Sequence, residues 1–73
     1  MKIEITTYAK RSELSAEGCT VTVTESVAMP GRYIASAPAG SKNVGMTKIV
    51  PTHAEAFIAA VNHLRRRAGE RAL

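Results

Sequence analysis

With 73 residues, 45% of them apolar and 22% charged, the chain has room for one domain (1–73) and a thin core. Ten Lys and Arg against six Asp and Glu give a net charge of +4, so an acidic partner is possible. One cysteine excludes an internal disulfide framework and a Cys-rich zinc site. No stretch approaches the ~18 apolar residues of a membrane span, and no apolar segment of a secretory signal follows the N-terminus. A cytoplasmic location, without a membrane partner, is expected.

The chain opens with Met1 to Tyr8, where Ile3 and Ile5 alternate with Lys2, Glu4 and Thr6. That period-two pattern predicts a half-buried strand. Ala9 to Gly18 is polar and reads as a loop with at most one helical turn capped by Ser12, which Gly18 stops. The clearest strand is Cys19 to Glu25. Cys19, Val21 and Val23 share one face, and Thr20, Thr22 and Thr24 the other. Val27 and Met29 lead into Pro30-Gly31, which has the chemistry of a type II turn, Pro at the second position and Gly at the third. Arg32 to Ala37 returns antiparallel. Pro38 to Asn43 breaks the pattern, and Val44 to Val50 is a weaker strand in which Gly45 marks a bulge or a close backbone approach.

The last element is a helix from Thr52 to Ala68. Thr52 is its N-cap, and Glu55 three residues on makes a capping box. Ala54, Phe57, Ile58, Val61, Leu64 and Ala68 fall on one arc of roughly 120°. Gly69 ends the helix, and residues 69–73 are expected to fray. The fold class this predicts is α+β: a small antiparallel sheet of three to four strands with the helix packed on one face. Ile3, Ile5, Val21, Val23, Ile34, Phe57, Ile58, Val61 and Leu64 are the expected core.

Charge is unevenly spread. Residues 1–55 carry a net +1 and residues 56–73 a net +3, because Arg65, Arg66, Arg67 and Arg71 cluster at the end of the helix. Cations there complement the helix dipole, and they also offer a binding patch. Three consecutive residues span ~200° of a helix, so they do not share one face. Lys42 and Lys48 flank the Gly40–Gly45 region, but their spacing matches no phosphate loop, and a surface hairpin is the simpler reading. Arg32 and Tyr33 complete the candidate partner-binding residues, since an exposed ring can stack on a base. His53 and His63 lie about 15 Å apart along the helix, too far to share a metal. Cys19 reads as a buried small hydrophobe, and the scattered glutamates suggest no acid–base pair. No enzyme activity, cofactor or metal is expected. Thr20, Thr22, Thr24 and Ser26 form an uncharged, β-prone row, either solvated or the surface of a homodimer.

Two resemblances arise from the order of elements. Three strands followed by a basic last helix resemble the C-terminal two-thirds of a double-stranded-RNA-binding domain. That family grips phosphates at the start of the helix, where this chain has Thr52-His53-Ala54-Glu55. Separately, Val21 to Ser26, Pro30-Gly31, Tyr33 and the alanines at 54, 56, 59 and 60 are similar in order and spacing to a short phage-encoded anti-CRISPR protein, an inhibitor of the type I-F surveillance complex. The resemblance covers about 40 residues. It implies a non-enzymatic phage or mobile-element protein that inhibits a host protein or ribonucleoprotein defence complex by stoichiometric binding. Inhibitors that mimic DNA are acidic, and a net +4 excludes that route. The alternative is a small basic nucleic-acid-binding protein that contacts phosphates through its C-terminal arginines.

Overall fold

The structure is a computed structural model that describes residues 1–40 and 44–73. Five strands are followed by one helix: β1 (Glu4–Thr7), β2 (Arg11–Ala16), β3 (Cys19–Glu25), β4 (Tyr33–Ala37), β5 (Met46–Val50) and α1 (His53–Arg67). The strands form one antiparallel sheet in chain order, β1-β2-β3-β4-β5. The helix crosses one face, over β2 to β5. No described helix is long and apolar enough to cross a membrane.

The expected α+β fold with a helix on one face is present, and the strand count is corrected to five. The added strand is β2, in the segment read as a loop. Its alternation is real but muted: Ser12, Leu14 and Ala16 are buried, while Arg11, Glu13 and Ser15 point to the other face. Only one of the three buried residues is a large hydrophobe, so the periodicity hides under the charges. The turn to β3 is Glu17-Gly18, with φ of 50° and 78°. Positive φ at both central residues is what a two-residue hairpin needs to match strand twist. Gly18 therefore turns the chain instead of stopping a helix.

Register decides the core. Leu14 opposes Val21, Ser12 opposes Val23, and Val23 opposes Ala35, which places these residues on the helix-bearing face. Ile34 opposes Thr24 and Ile49, so it lies on the open face and is not a core residue. The buried cluster is Leu14, Ala16, Cys19, Val21, Val23, Ala35, Ala37, Val50, Ala56, Ala60 and Leu64. Of the other expected core residues, Val21, Val23 and Leu64 are buried, and Ile3, Phe57 and Val61 pack at the margin. Ile5 and Ile58 are 51% and 47% exposed.

The buried helix stripe is Ala56, Ala60 and Leu64, rotated by about 100° from the arc that the larger residues mark. Alanines on the helix face alanines on β4, and small side chains let the helix backbone sit close to the sheet. Packing density, not side-chain size, selects that face.

The helix ends follow the sequence closely. The Thr52 hydroxyl accepts the Glu55 N–H at 3.2 Å and donates to the Glu55 carboxylate at 3.0 Å. At the other end Ala68 is the C-cap and Gly69, with φ of 78°, follows it. Gly69 N–H donates to the Arg66 carbonyl and Glu70 N–H to the Arg65 carbonyl, at 3.0 and 2.8 Å. This is a Schellman closure, which satisfies carbonyls the helix leaves unpaired. In the tail beyond the helix, Leu73 N–H donates to Asn62 Oδ1 at 2.7 Å, and the Met1 ammonium lies 3.3 Å from the Glu70 carboxylate.

Candidate functional site

The sheet and helix carry the candidate residues to two separate poles. A fifteen-residue helix is about 21 Å long, and its two ends mark them. At its C-terminal pole, Arg65 donates from Nε to the Arg71 carbonyl, and its Nη1 lies 3.8 Å from the Glu70 carboxylate. Arg67 Nη1 donates to the Glu17 carbonyl in the β2–β3 turn at 2.9 Å. Arg66 and Arg71 are exposed. Two of the four arginines thus fasten the helix end to its own tail and to the nearest hairpin. The four arginines lie at one end of the helix and in the tail beyond it, and Arg65 and Arg67 have structural partners there.

Arg32 and Tyr33 sit at the opposite pole. The Tyr33 ring meets His53, the first helical residue, edge to face with centroids 5.5 Å apart, and His53 lies 5.7 Å from Phe57. Tyr8 belongs to the same pole. Arg11 places its guanidinium 4.3 Å from the centre of the Tyr8 ring and its Nε 3.4 Å from the Glu13 carboxylate. A groove of about 370 Å³ opens there, bounded by Tyr8, Arg11, Ser12, Val23, Tyr33 and Phe57. All three Phe and Tyr residues of the chain line it. Residues 8, 33 and 57 are far apart in the chain and meet only once the strands are paired, so the sequence alone does not group them.

The β3–β4 loop flanks this pole. Arg32 N–H donates to the Met29 carbonyl at 3.1 Å, and Gly31 has φ of 83°. The expected type II turn is therefore present. Ser26 N–H donates to the Arg32 carbonyl at 2.8 Å, and Met29 N–H donates to Ser26 Oγ at 3.0 Å. Ser26, which the sequence puts in one row with the threonines, is buried, its hydroxyl spent on bracing the loop. The braced loop holds apolar side chains in solvent: Val27 is 97% exposed and Met29 51%. Beside it a wider depression of about 1070 Å³ is lined by Tyr8, Lys10, Arg11, Thr24, Val27 and Pro30 among others.

Thr20, Thr22 and Thr24 run along the centre of the uncovered sheet face, Thr20 exposed and the other two half-buried. Thr20 and Ser15 hydroxyls share a 2.8 Å hydrogen bond across β2 and β3. Ile34 and Ile49 add apolar surface at the end of this face nearest the β3–β4 loop. Lys48 is exposed midway along β5, opposite Ala35 on the helix-bearing side, apart from the arginine cluster. Lys42 lies outside the described residues. The expected close approach at Gly45 is present, since a Cβ there would stand 3.0 Å from the Ala39 nitrogen.

Cys19 is buried in the core, as expected of a small hydrophobe. Among the described residues, no three His, Cys, Asp or Glu side chains come together. Comparison of the chain with protein-family models, with curated proteins and with solved structures finds no match.

Proposed function

We propose that the protein is a non-enzymatic binding module that acts by stoichiometric occupancy of a partner. The observation that carries this reading is the uncovered recognition surface on a hydrogen-bonded scaffold. One face of a five-stranded sheet has no helix over it, and a braced loop beside it keeps Val27 and Met29 in solvent. Preorganised surface of this kind loses little entropy on association. The partner class comes from the resemblance of residues 21–33 and the alanine-rich helix to the anti-CRISPR protein. We take it to be a host protein or ribonucleoprotein defence complex, met in the cytoplasm.

A purified type I-F surveillance complex, immobilised and titrated with the protein, tests this. Saturable binding at a fixed molar ratio, with loss of target-DNA binding or cleavage, is expected. An unaffected complex overturns the choice of partner. The same titration against free random duplex tests the alternative. Phosphate contacts through Arg66 and Arg71 would make the affinity fall steeply with salt, by nearly one unit of logarithmic slope per contact. Salt-sensitive binding to free duplex, lost in an Arg66→Gln, Arg71→Gln variant, would make nucleic acid the primary partner. Sedimentation addresses the threonine row. A mass about twice 7.8 kDa, returning to that of a monomer in a Thr22→Lys variant, would support a homodimer on Thr20, Thr22 and Thr24, because a two-fold pairing covers both open faces at once.

A further inference from the structure

We infer that the β3–β4 loop and the depression beside it form the docking surface, and that the docking segment is an acidic stretch of a partner protein with an apolar anchor. This rests on the occupancy reading above and names the chemistry of its contact. Three features define the surface. The loop is convex and apolar at Val27 and Met29. The depression beside it is concave, bounded by the Tyr8 ring, Val27 and Pro30. Cations are near both: Lys10 and Arg11 line the depression, Arg11 also paired with Glu13, and exposed Arg32 follows Gly31 at the end of the loop turn. Among the described residues, Glu25 is the one acid lining the depression.

Solvent exposure of a valine and a methionine on a loop with three internal hydrogen bonds is not a folding requirement. Neither side chain contributes to the buried cluster. Apolar residues held rigidly in water are what a binding hot spot requires, since the desolvation gain is kept and the ordering cost is already met.

Charge selects the occupant. A second copy docked through this same surface would set one cationic patch against another, and like charges in juxtaposition oppose association. A segment whose leucine or phenylalanine enters the depression, with carboxylates on either side, meets the cations instead. A concave seat between a turn and a loop also suits a chain segment better than a flat lipid surface.

The probe is a synthetic hexapeptide in which leucine and phenylalanine are flanked by glutamates, titrated into ¹⁵N-labelled protein beside a lysine-flanked counterpart. Shift changes confined to residues 8–11 and 24–32, with the acidic peptide only, are the expected result. Val27→Asp should weaken binding roughly tenfold, the size of a hot-spot loss, with the melting curve unchanged. Lys10→Glu combined with Arg32→Glu should reverse the preference between the two peptides. Shifts at the arginine pole or nowhere overturn the proposal. So does equal binding of the lysine-flanked peptide. Loop shifts of the same size with phosphatidylglycerol vesicles would assign the loop to membranes, and loop shifts on raising protein concentration alone would assign it to self-association. The surveillance complex separates the two levels. If it binds wild type and Val27→Asp alike, this docking surface falls and the occupancy reading stands. If it binds neither while the acidic peptide maps to the loop, the surface stands and the choice of complex falls.

Discussion

The two poles of the molecule use similar residue types to opposite ends. At the arginine pole, polar groups turn inward on the protein: Arg65 onto the tail, Arg67 onto the Glu17 carbonyl, Asn62 onto the Leu73 N–H. At the loop pole, backbone groups and a buried serine brace a loop whose side chains stay outside. A dense run of charge in a sequence attracts a functional interpretation, yet here part of it is structural mortar. A short run of apolar residues around a turn is easily passed over, yet it forms the more available surface. What distinguishes them is where the hydrogen bonds go.

The sharpest test of this contrast is the substitution with the largest expected effect. Leu64 is fully buried on the helix near the arginine pole. Leu64→Ala should cost about 2–5 kcal/mol, comparable to the stability of a domain this small. Thermal or urea unfolding should show a largely unfolded variant. A melt close to wild type would mean that the helix is not held at this end by its core stripe. Phe57→Ala, at the half-buried margin, should cost less, reversing the ranking that side-chain size alone suggests.

The loop pole is probed by Ser26→Ala, which removes the acceptor for the Met29 N–H. A loss of about 1 kcal/mol is expected, with faster amide exchange at Met29 and neighbouring loop positions but not at the Schellman closure. Exchange unchanged across the loop would show that the turn holds itself without the serine.

His63 gives a test of opposite sign. Its Nε2 is buried without a hydrogen-bond partner among the described residues. An orphaned polar atom is a cost, so His63→Leu should raise stability by about 1 kcal/mol. A drop in melting temperature would show that the imidazole has a role the fold does not reveal. The smallest effect belongs to Val27→Ser, which should lie within about 0.5 kcal/mol of wild type. A larger loss would mean that Val27 contributes to the fold, and the contrast between the poles would fail at its simplest point.

Much of the architecture was legible because local chemistry states it. Pro30-Gly31 specifies a turn, Thr52 and Glu55 specify a helix start, and the alternation of Cys19 to Glu25 specifies a strand with two unlike faces. The segment Arg11–Ala16 was not legible, because burying Ser12 and Ala16 beside a single leucine gives almost no hydrophobic signal. The helix face is obscure in the sequence for the same reason: Ala56 and Ala60 look indifferent until they join a buried cluster with Ala35 and Ala37. Of the candidate site, Arg32 and Tyr33 are legible in the sequence, but Tyr8, Lys10 and Arg11 meet Tyr33 only in the folded chain. That juxtaposition needs β1 to β4 in register, and register depends on β2, the strand the sequence concealed.

Chain-ordered strand pairing has a kinetic consequence. Each strand pairs only with those before and after it, so little loop-closure entropy separates the open chain from each hairpin. Low contact order of this kind favours rapid folding. The helix that shields the sheet follows all five strands in the chain, so the sheet can form while its apolar face is still bare. In that interval the outer strand β5 is an invitation to sticky encounters with other nascent chains. Lys48 projects from the middle of that strand on the side that awaits the helix. A charge so placed repels edge-to-edge pairing and keeps the unfinished sheet to itself. Lys48 is thus a charge on an edge strand, of the kind that opposes edge-to-edge pairing, and it stands apart from the arginine cluster.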